Sequence, residues 1–139
     1  MTYPRTANVV AAYQTAAVHG GVAAADEHGL VQMLLEGALH RIAQARGCIE
    51  RGEMLAKTQL IHRAVAIVEE LSRSLDHARG GEIAANLGEL YAYIMRQLLN
   101  ATIQNRVDLL NEVSSLLNEV RSAWSAIPPE ARMHPAAAD

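Results

Sequence analysis

The 139-residue sequence predicts an all-α protein: an antiparallel four-helix bundle with a short N-terminal arm or extra helix. Three observations carry that expectation. Four long segments repeat apolar residues at spacings of three and four, the signature of one helix face. No run alternates apolar and polar residues with the composition of a strand. The links between the segments are short, which favours antiparallel neighbours.

The first segment spans about Glu27 to Arg51, with Leu30, Leu34, Ala38, Ile42, Ala45 and Ile49 on one stripe. Asp26 is placed to cap its free N–H groups, and Gly52 stands where a C-terminal stop belongs. The second spans about Met54 to Ala78, with Leu60, Ala64, Ile67, Leu71, Leu75 and Ala78 in line. The third starts near Glu82 and carries Ile83, Leu87, Leu90, Ile94, Leu98 and Ala101. The fourth starts near Arg106 and carries Val107, Leu110, Val113, Leu117, Val120, Trp124 and Ile127, until Pro128 and Pro129 end it. The domain boundaries follow: an arm over 1–25, the bundle over 26–128, and a flexible tail over 129–139.

Composition narrows the function. Half of the residues are hydrophobic, so the chain is expected to fold. A net charge of −3 without a basic block speaks against nucleic acid. Phe is absent and Trp occurs once, so Ala, Leu, Ile and Val must fill the core, and thin side chains let helices approach closely. The single cysteine, Cys48, cannot form an internal disulfide and reads as a small core residue in a reducing compartment. Residues 6–25 carry no charge and follow Arg5, a weak likeness to a secretion signal. Asn8, Gln14, Thr15, His19 and a glycine pair interrupt it, which predicts neither a signal nor a membrane span and points to the cytoplasm.

Enzymatic readings find little support. A phosphate loop would follow a strand and carry Lys with Ser or Thr, so Gly80-Gly81-Glu82 reads as a turn between helices, with Glu82 in a first helical turn. A dimetal bundle needs paired Glu-x-x-His motifs, and none of His19, His28, His40, His62, His77 or His134 has Glu three residues before it. Arg73 and His77 approach the spacing of a helical ribonuclease but stand one residue too close. No catalytic residue, cofactor or metal is expected. The helices instead carry more apolar residues than one seam needs: Leu87, Tyr91, Met95 and Leu98 or Leu99 on the third, Leu35 and Leu39 on the first, Leu109 and Leu116 on the fourth. Breadth of that kind belongs either to a helix buried on several sides or to a groove that receives a partner's amphipathic helix.

Several stretches, taken in order, resemble the bacterial flagellar secretion chaperone family, FliS. They are Tyr13-Gln14; the run Leu30 to Ala38, LVQMLLEGA; Arg63-Ala64 with Ile67, Glu70-Leu71 and Ser74-Leu75-Asp76; Gly80-Gly81-Glu82-Ile83-Ala84 with Asn86-Leu87, Leu90-Tyr91 and Tyr93; and Arg121 with Ala123-Trp124. Asp26-Glu27 stands where that family usually has Ser-Pro or Thr-Pro, and Leu35-Glu36 where it has Tyr-Asp. Asp caps as well as Ser; Leu35 supplies apolar area without a hydroxyl, so client preference is expected to differ.

The resemblance implies a non-catalytic export chaperone. Its client would be the disordered C-terminal segment of flagellin, which it would keep from premature polymerisation and escort to the flagellar export apparatus. A generic helical adaptor or a helical ribonuclease is the alternative, and a homodimer stays open. The residues it implies for flagellin are Tyr13, Gln14, Met33, Leu34, Leu35, Ile83, Asn86, Leu87, Leu90, Tyr91 and Met95. Tyr91 and Tyr93 are two apart and cannot share a helix face; Tyr91 is expected on the groove wall beside Leu87 and Met95, and Tyr93 in the bundle. Val9, Val10, Tyr13 and Ala17 fall at helix spacing in the arm, which either shields the groove or is a plain leader. If it shields, deleting residues 1–18 raises the on-rate of flagellin in stopped-flow binding; an unchanged or lower rate removes that role.

Overall fold

A computed structural model of the protein describes residues 26–132. They form four long helices and one short turn: α1 Glu27–Arg51, α2 Met54–Arg73, α3 His77–Gln104, α4 Val107–Ser125 and α5 Pro129–Arg132. The arm over 1–25 and residues 133–139 of the tail lie outside the described residues. The tail's first residues wind into α5, where Arg132 Nε donates to the Ile127 carbonyl at 2.8 Å.

The ends of α1 follow the sequence signals. The Asp26 carboxylate accepts from the Gly29 N–H at 2.8 Å, and Gly52 takes φ 77° and ψ 18° while its N–H reaches the Cys48 and Ile49 carbonyls. The end of α2 does not follow them. The helix stops at Arg73, short of the Ala78 that the apolar period suggests. Two local bonds compete with continuation: the Ser74 hydroxyl donates back to the Leu71 carbonyl at 2.8 Å, and Asp76 starts a new turn by accepting from the Arg79 N–H at 3.1 Å. Leu75 still packs against the core from the link, whereas Ala78 is exposed.

The glycine pair is a helix break, as the sequence suggests, but the two residues divide the work. Gly80 closes the turn His77–Gly80, its N–H on the Asp76 carbonyl at 2.8 Å. Gly81 makes the break, with φ 52° and ψ −122°, and the straight part of α3 begins at Glu82. Asn105, at φ 53° and ψ 45°, closes the far end of α3. The link to α4 is then two residues long.

Each helix packs on two others. α1 and α3 both contact α2 and α4, which closes a square. Cross-helix bonds fix the directions. His28 at the start of α1 meets Trp124 at the end of α4, and Arg46 further along α1 donates to Asn111 at the start of α4 at 3.0 Å. Lys57 at the start of α2 meets Thr102 at the end of α3. The bundle is therefore up-down-up-down, the arrangement that short links impose. Its core is aliphatic. Leu35, Ile42, Ile61, Ile67, Leu71, Ile94, Leu98, Leu110 and Leu117 are fully enclosed, with Ala38, Ala45, Ala64 and Ala101 between them.

The His28–Trp124 contact ties the α1–α4 seam twice. The rings stack at 5.0 Å and 11°, the Trp124 indole donates to the His28 carbonyl at 3.0 Å, and His28 Nε2 stands 2.7 Å from the Trp124 carbonyl. Gly81 gives the sharpest test of the backbone account. Nothing lies within 4 Å of a Cβ built on it, so Gly81→Ala meets no clash and acts through conformation alone. It is expected to lower unfolding free energy by about 1–3 kcal/mol in urea denaturation, leaving helix content intact by circular dichroism.

A candidate apolar docking surface

Five large hydrophobic side chains are exposed among the described residues: Met54, Leu55, Ile83, Leu99 and Ile103. Four of them belong to one place. Met54 and Leu55 open α2, while Leu99 and Ile103 lie in the last turns of α3. These two helix ends are side by side, because Lys57 Nζ donates to the Thr102 carbonyl at 2.7 Å and the Thr58 and Thr102 hydroxyls stand 3.4 Å apart. Leu55 is three residues from Thr58, and Leu99 three from Thr102. A helix turns about 100° per residue, so each lies some 60° round its helix from the seam contact. Both turn away from the core, Leu55 being 73% exposed and Leu99 41%; Ile103, one turn after Leu99, is 75% exposed. Met95, one turn before Leu99, is half-buried and extends the strip. The result is an aliphatic surface along the outer edge of the α2–α3 seam.

The opposite flank of α3 differs in kind. There the Tyr93 hydroxyl donates to Glu112, Gln97 donates to the same carboxylate at 3.3 Å, and Asn100 donates to Gln97 at 3.1 Å. The Arg96 guanidinium sits over the Tyr93 ring, 5.8 Å from its centre. Bonding to Glu112, together with desolvation, raises the Tyr93 pKa above its ordinary value. Polar groups close this α3–α4 seam, while aliphatic ones line the α2–α3 seam.

The residues nominated from sequence do not form one wall. Leu34, Leu35 and Tyr91 are core residues, at 2%, 0% and 3% exposure. Tyr91 was expected on the groove; the structure places it inside, because positions 87, 91, 94 and 98 fall on one stripe of α3 and that stripe faces the bundle. Met33, Leu87, Leu90 and Met95 are half-buried, and Asn86 and Ile83 are exposed near the start of α3. Ile83 is twenty residues from Ile103, about 30 Å along the helix. Tyr13 and Gln14 lie outside the described residues. Sequence reasoning overlooked Met54, Leu55 and Ile103, though a signal was present: each is a large aliphatic residue off its helix's core stripe, where a wet bundle face would carry a polar one.

No cluster of three or more His, Cys, Asp or Glu is placed to hold a metal among the described residues, and no helix there is long and apolar enough to cross a membrane. The arrangement offers apolar contact.

Comparison with known proteins identifies the family. Residues 9–131 match the family described as "Flagellar protein FliS". The chain belongs to the FliS family. It is 44% identical over 115 residues to "Flagellar secretion chaperone FliSB" of Pseudomonas aeruginosa, a match that covers 83% of this chain and 91% of the relative. To "Flagellar secretion chaperone FliS" of Salmonella typhimurium it is 39% identical over 127 residues, 91% of this chain and 94% of the relative. The Vibrio cholerae protein of the same name is 34% identical over 119 residues, 86% and 88% of the two chains. The relatives are named as chaperones, a non-enzymatic class.

The burial of Tyr91 has a consequence for stability. Desolvation pushes its pKa up to about 12 from the ordinary 10. The folded state therefore favours the neutral phenol. Its contribution is fully present below pH 10 and is lost as pH rises from 10 to 12. Each factor of ten in a proton equilibrium is worth about 1.4 kcal/mol, so ionisation of Tyr91 costs the folded state up to about 3 kcal/mol. Tyr91→Phe is expected to flatten the fall in unfolding free energy between pH 10 and 12 relative to the parent chain, as read by urea titrations at each pH.

Proposed function

We propose that this FliS-family chain is a chaperone of flagellar export that binds the C-terminal segment of flagellin on the outer α2–α3 surface. Membership of a family whose relatives are named flagellar secretion chaperones supports the export role. The observation that carries the binding reading is the cluster of Met54, Leu55, Leu99 and Ile103, exposed together at one seam. Aliphatic residues scattered singly over a surface need no explanation, but a contiguous group marks an interaction site.

The chemistry of the surface fits a helical client. It is aliphatic, lacks aromatic side chains, and follows the direction of two antiparallel helices, so an amphipathic helix can lie along it with residues at i, i+3, i+4 and i+7 in contact. A segment that is disordered when free would fold as it binds. Such coupled folding spends several kcal/mol on ordering, so a large contact surface yields moderate affinity. Moderate affinity suits a carrier that must hold its client apart from other copies in the cytoplasm and then release it to the export apparatus. No catalytic step is involved.

The test is calorimetric titration of the full chain with the C-terminal segment of flagellin from the same organism. A one-to-one isotherm with a negative heat-capacity change is expected. The double variant Leu55→Ala with Ile103→Ala is expected to weaken binding by more than about tenfold. Its thermal midpoint should stay near that of the parent, because both side chains are exposed. Binding by the double variant at parental affinity would move the client to another face; no binding by the parent chain would remove flagellin as client.

A further inference from the structure

Lys57 is the chain's only lysine, and it is 5% exposed, the one charged side chain among the buried described residues. Its place in α2 is unfavourable for a cation. It sits in the first turn, at the positive end of the helix dipole, and no acidic residue of that turn offsets it. Burial of a lysine without a partner is rare. The partner here belongs to another helix. Thr102 is among the last four residues of α3, whose carbonyls have no acceptor role within the helix. The Ala101 carbonyl is taken by the Asn105 and Arg106 N–H groups, and the Thr102 carbonyl accepts from Lys57 Nζ at 2.7 Å. A cation misplaced on its own helix thus closes the negative end of the neighbouring one.

We propose that Lys57 is a positioning residue for the docking surface: its bond to Thr102 sets the register of the Met54–Leu55 turn against the Leu99–Ile103 turns, and so the shape a client meets. This rests on the docking reading given above. Lys57 follows Leu55 by two residues and Thr102 precedes Ile103 by one, so the bond fixes both sides of the surface within a turn. Apolar packing of Ile61, Leu98 and Ala101 brings the two helices together at that end, but it is the directional Lys57 bond that ties one position to another: Leu55 and Ile103 point to solvent, and the Thr58–Thr102 hydroxyl contact is long at 3.4 Å. α3 keeps its own terminus through Asn105 without Lys57, so loss of the bond frees the register before it frees the helix.

The experiment measures affinity of the full chain for the same flagellin segment by calorimetry. Lys57→Met keeps the aliphatic stem and removes the donor. It is expected to weaken binding about tenfold, while His28→Ala, which loosens the far end of the bundle, binds as the parent does. A disulfide across the seam, Thr58→Cys with Thr102→Cys, is expected to restore the affinity of the Lys57→Met chain when oxidised and not when reduced. Where Lys57→Met does not fold, Lys57→Gln takes its place with the same two expectations. Parental affinity in the Lys57 variant, or a weak variant that the oxidised crosslink fails to restore, overturns the proposal. The Leu55→Ala/Ile103→Ala chain separates the two ideas. If that double variant loses binding while the Lys57 variant does not, only the positioning role falls; if the double variant binds normally, the docking reading has failed.

Discussion

The bundle depends on alanine at its inner contacts. Ala38 and Ala45 on α1, Ala64 on α2 and Ala101 on α3 are all completely enclosed. A methyl group at these positions lets neighbouring helices approach, and the aliphatic side chains above and below then fill the space in well-defined rotamers. A chain without Phe has no bulkier alternative. The close approach has a second effect. Thin stripes enclose the core with few residues per helix, so the remaining apolar content is not needed inside. Leu55 and Ile103 are part of that surplus.

The surplus is not spread evenly. α3 contributes to two seams and treats them in opposite ways. Toward α4 it presents Tyr93, Gln97 and Asn100, which bond to Glu112 and to one another. These polar groups satisfy each other and leave no aliphatic face for a visitor. On the side of α2 it carries Met95 and Leu99, with Ile103 turned outward next to the Lys57–Thr102 bond. On the proposed reading, a helical client would meet a closed polar flank on one side of α3 and an open aliphatic one on the other. That asymmetry, more than total hydrophobicity, favours one seam for docking.

Much of this fold was legible in the sequence. α1 was readable to the residue because Asp26 and Gly52 are caps whose chemistry is local. The four stripes identified the core, including Ile42, Ile67, Ile94, Leu98 and Leu117, because burial in a bundle follows the helical period. The end of α2 was not legible: Leu75 and Ala78 continue the apolar period, but the period cannot report that Ser74 turns its hydroxyl back on Leu71 or that Asp76 starts a new turn. The proposed docking surface differs from the one expected from sequence for a related reason. Periodicity tells which residues share a face and not which face a neighbour covers. Tyr91 shares the stripe of Ile94 and Leu98 and went inside with them, whereas Leu55 and Ile103, on no core stripe, stayed out. The role of Lys57 needs the position of a second helix end, and no pattern within α2 contains that.

The size of the exposed cluster bears on how a client would be held. Met54, Leu55, Leu99 and Ile103 are 36%, 73%, 41% and 75% exposed, together little more than two fully exposed side chains. Covering them is worth roughly 3 to 7 kcal/mol, against about 2 to 5 kcal/mol for ordering a disordered segment. The balance is close to zero. On the proposed reading, this surface alone would not retain a client; it would serve as one anchor of a longer contact. Ile83, 71% exposed and about 30 Å away along the same helix, is the other large exposed apolar side chain; twenty residues turn the helix by about 200° beyond whole turns, so a segment that reached both would have to wrap round α3. An extended residue covers about 3.3 Å and a helical one 1.5 Å, so ten to twenty residues of client would span the two. Anchors that are weak singly and joined by a short tether bind well together, because the second attaches from a high effective concentration. They also let go one at a time, which gives an export chaperone a route to release that needs no change in its own fold.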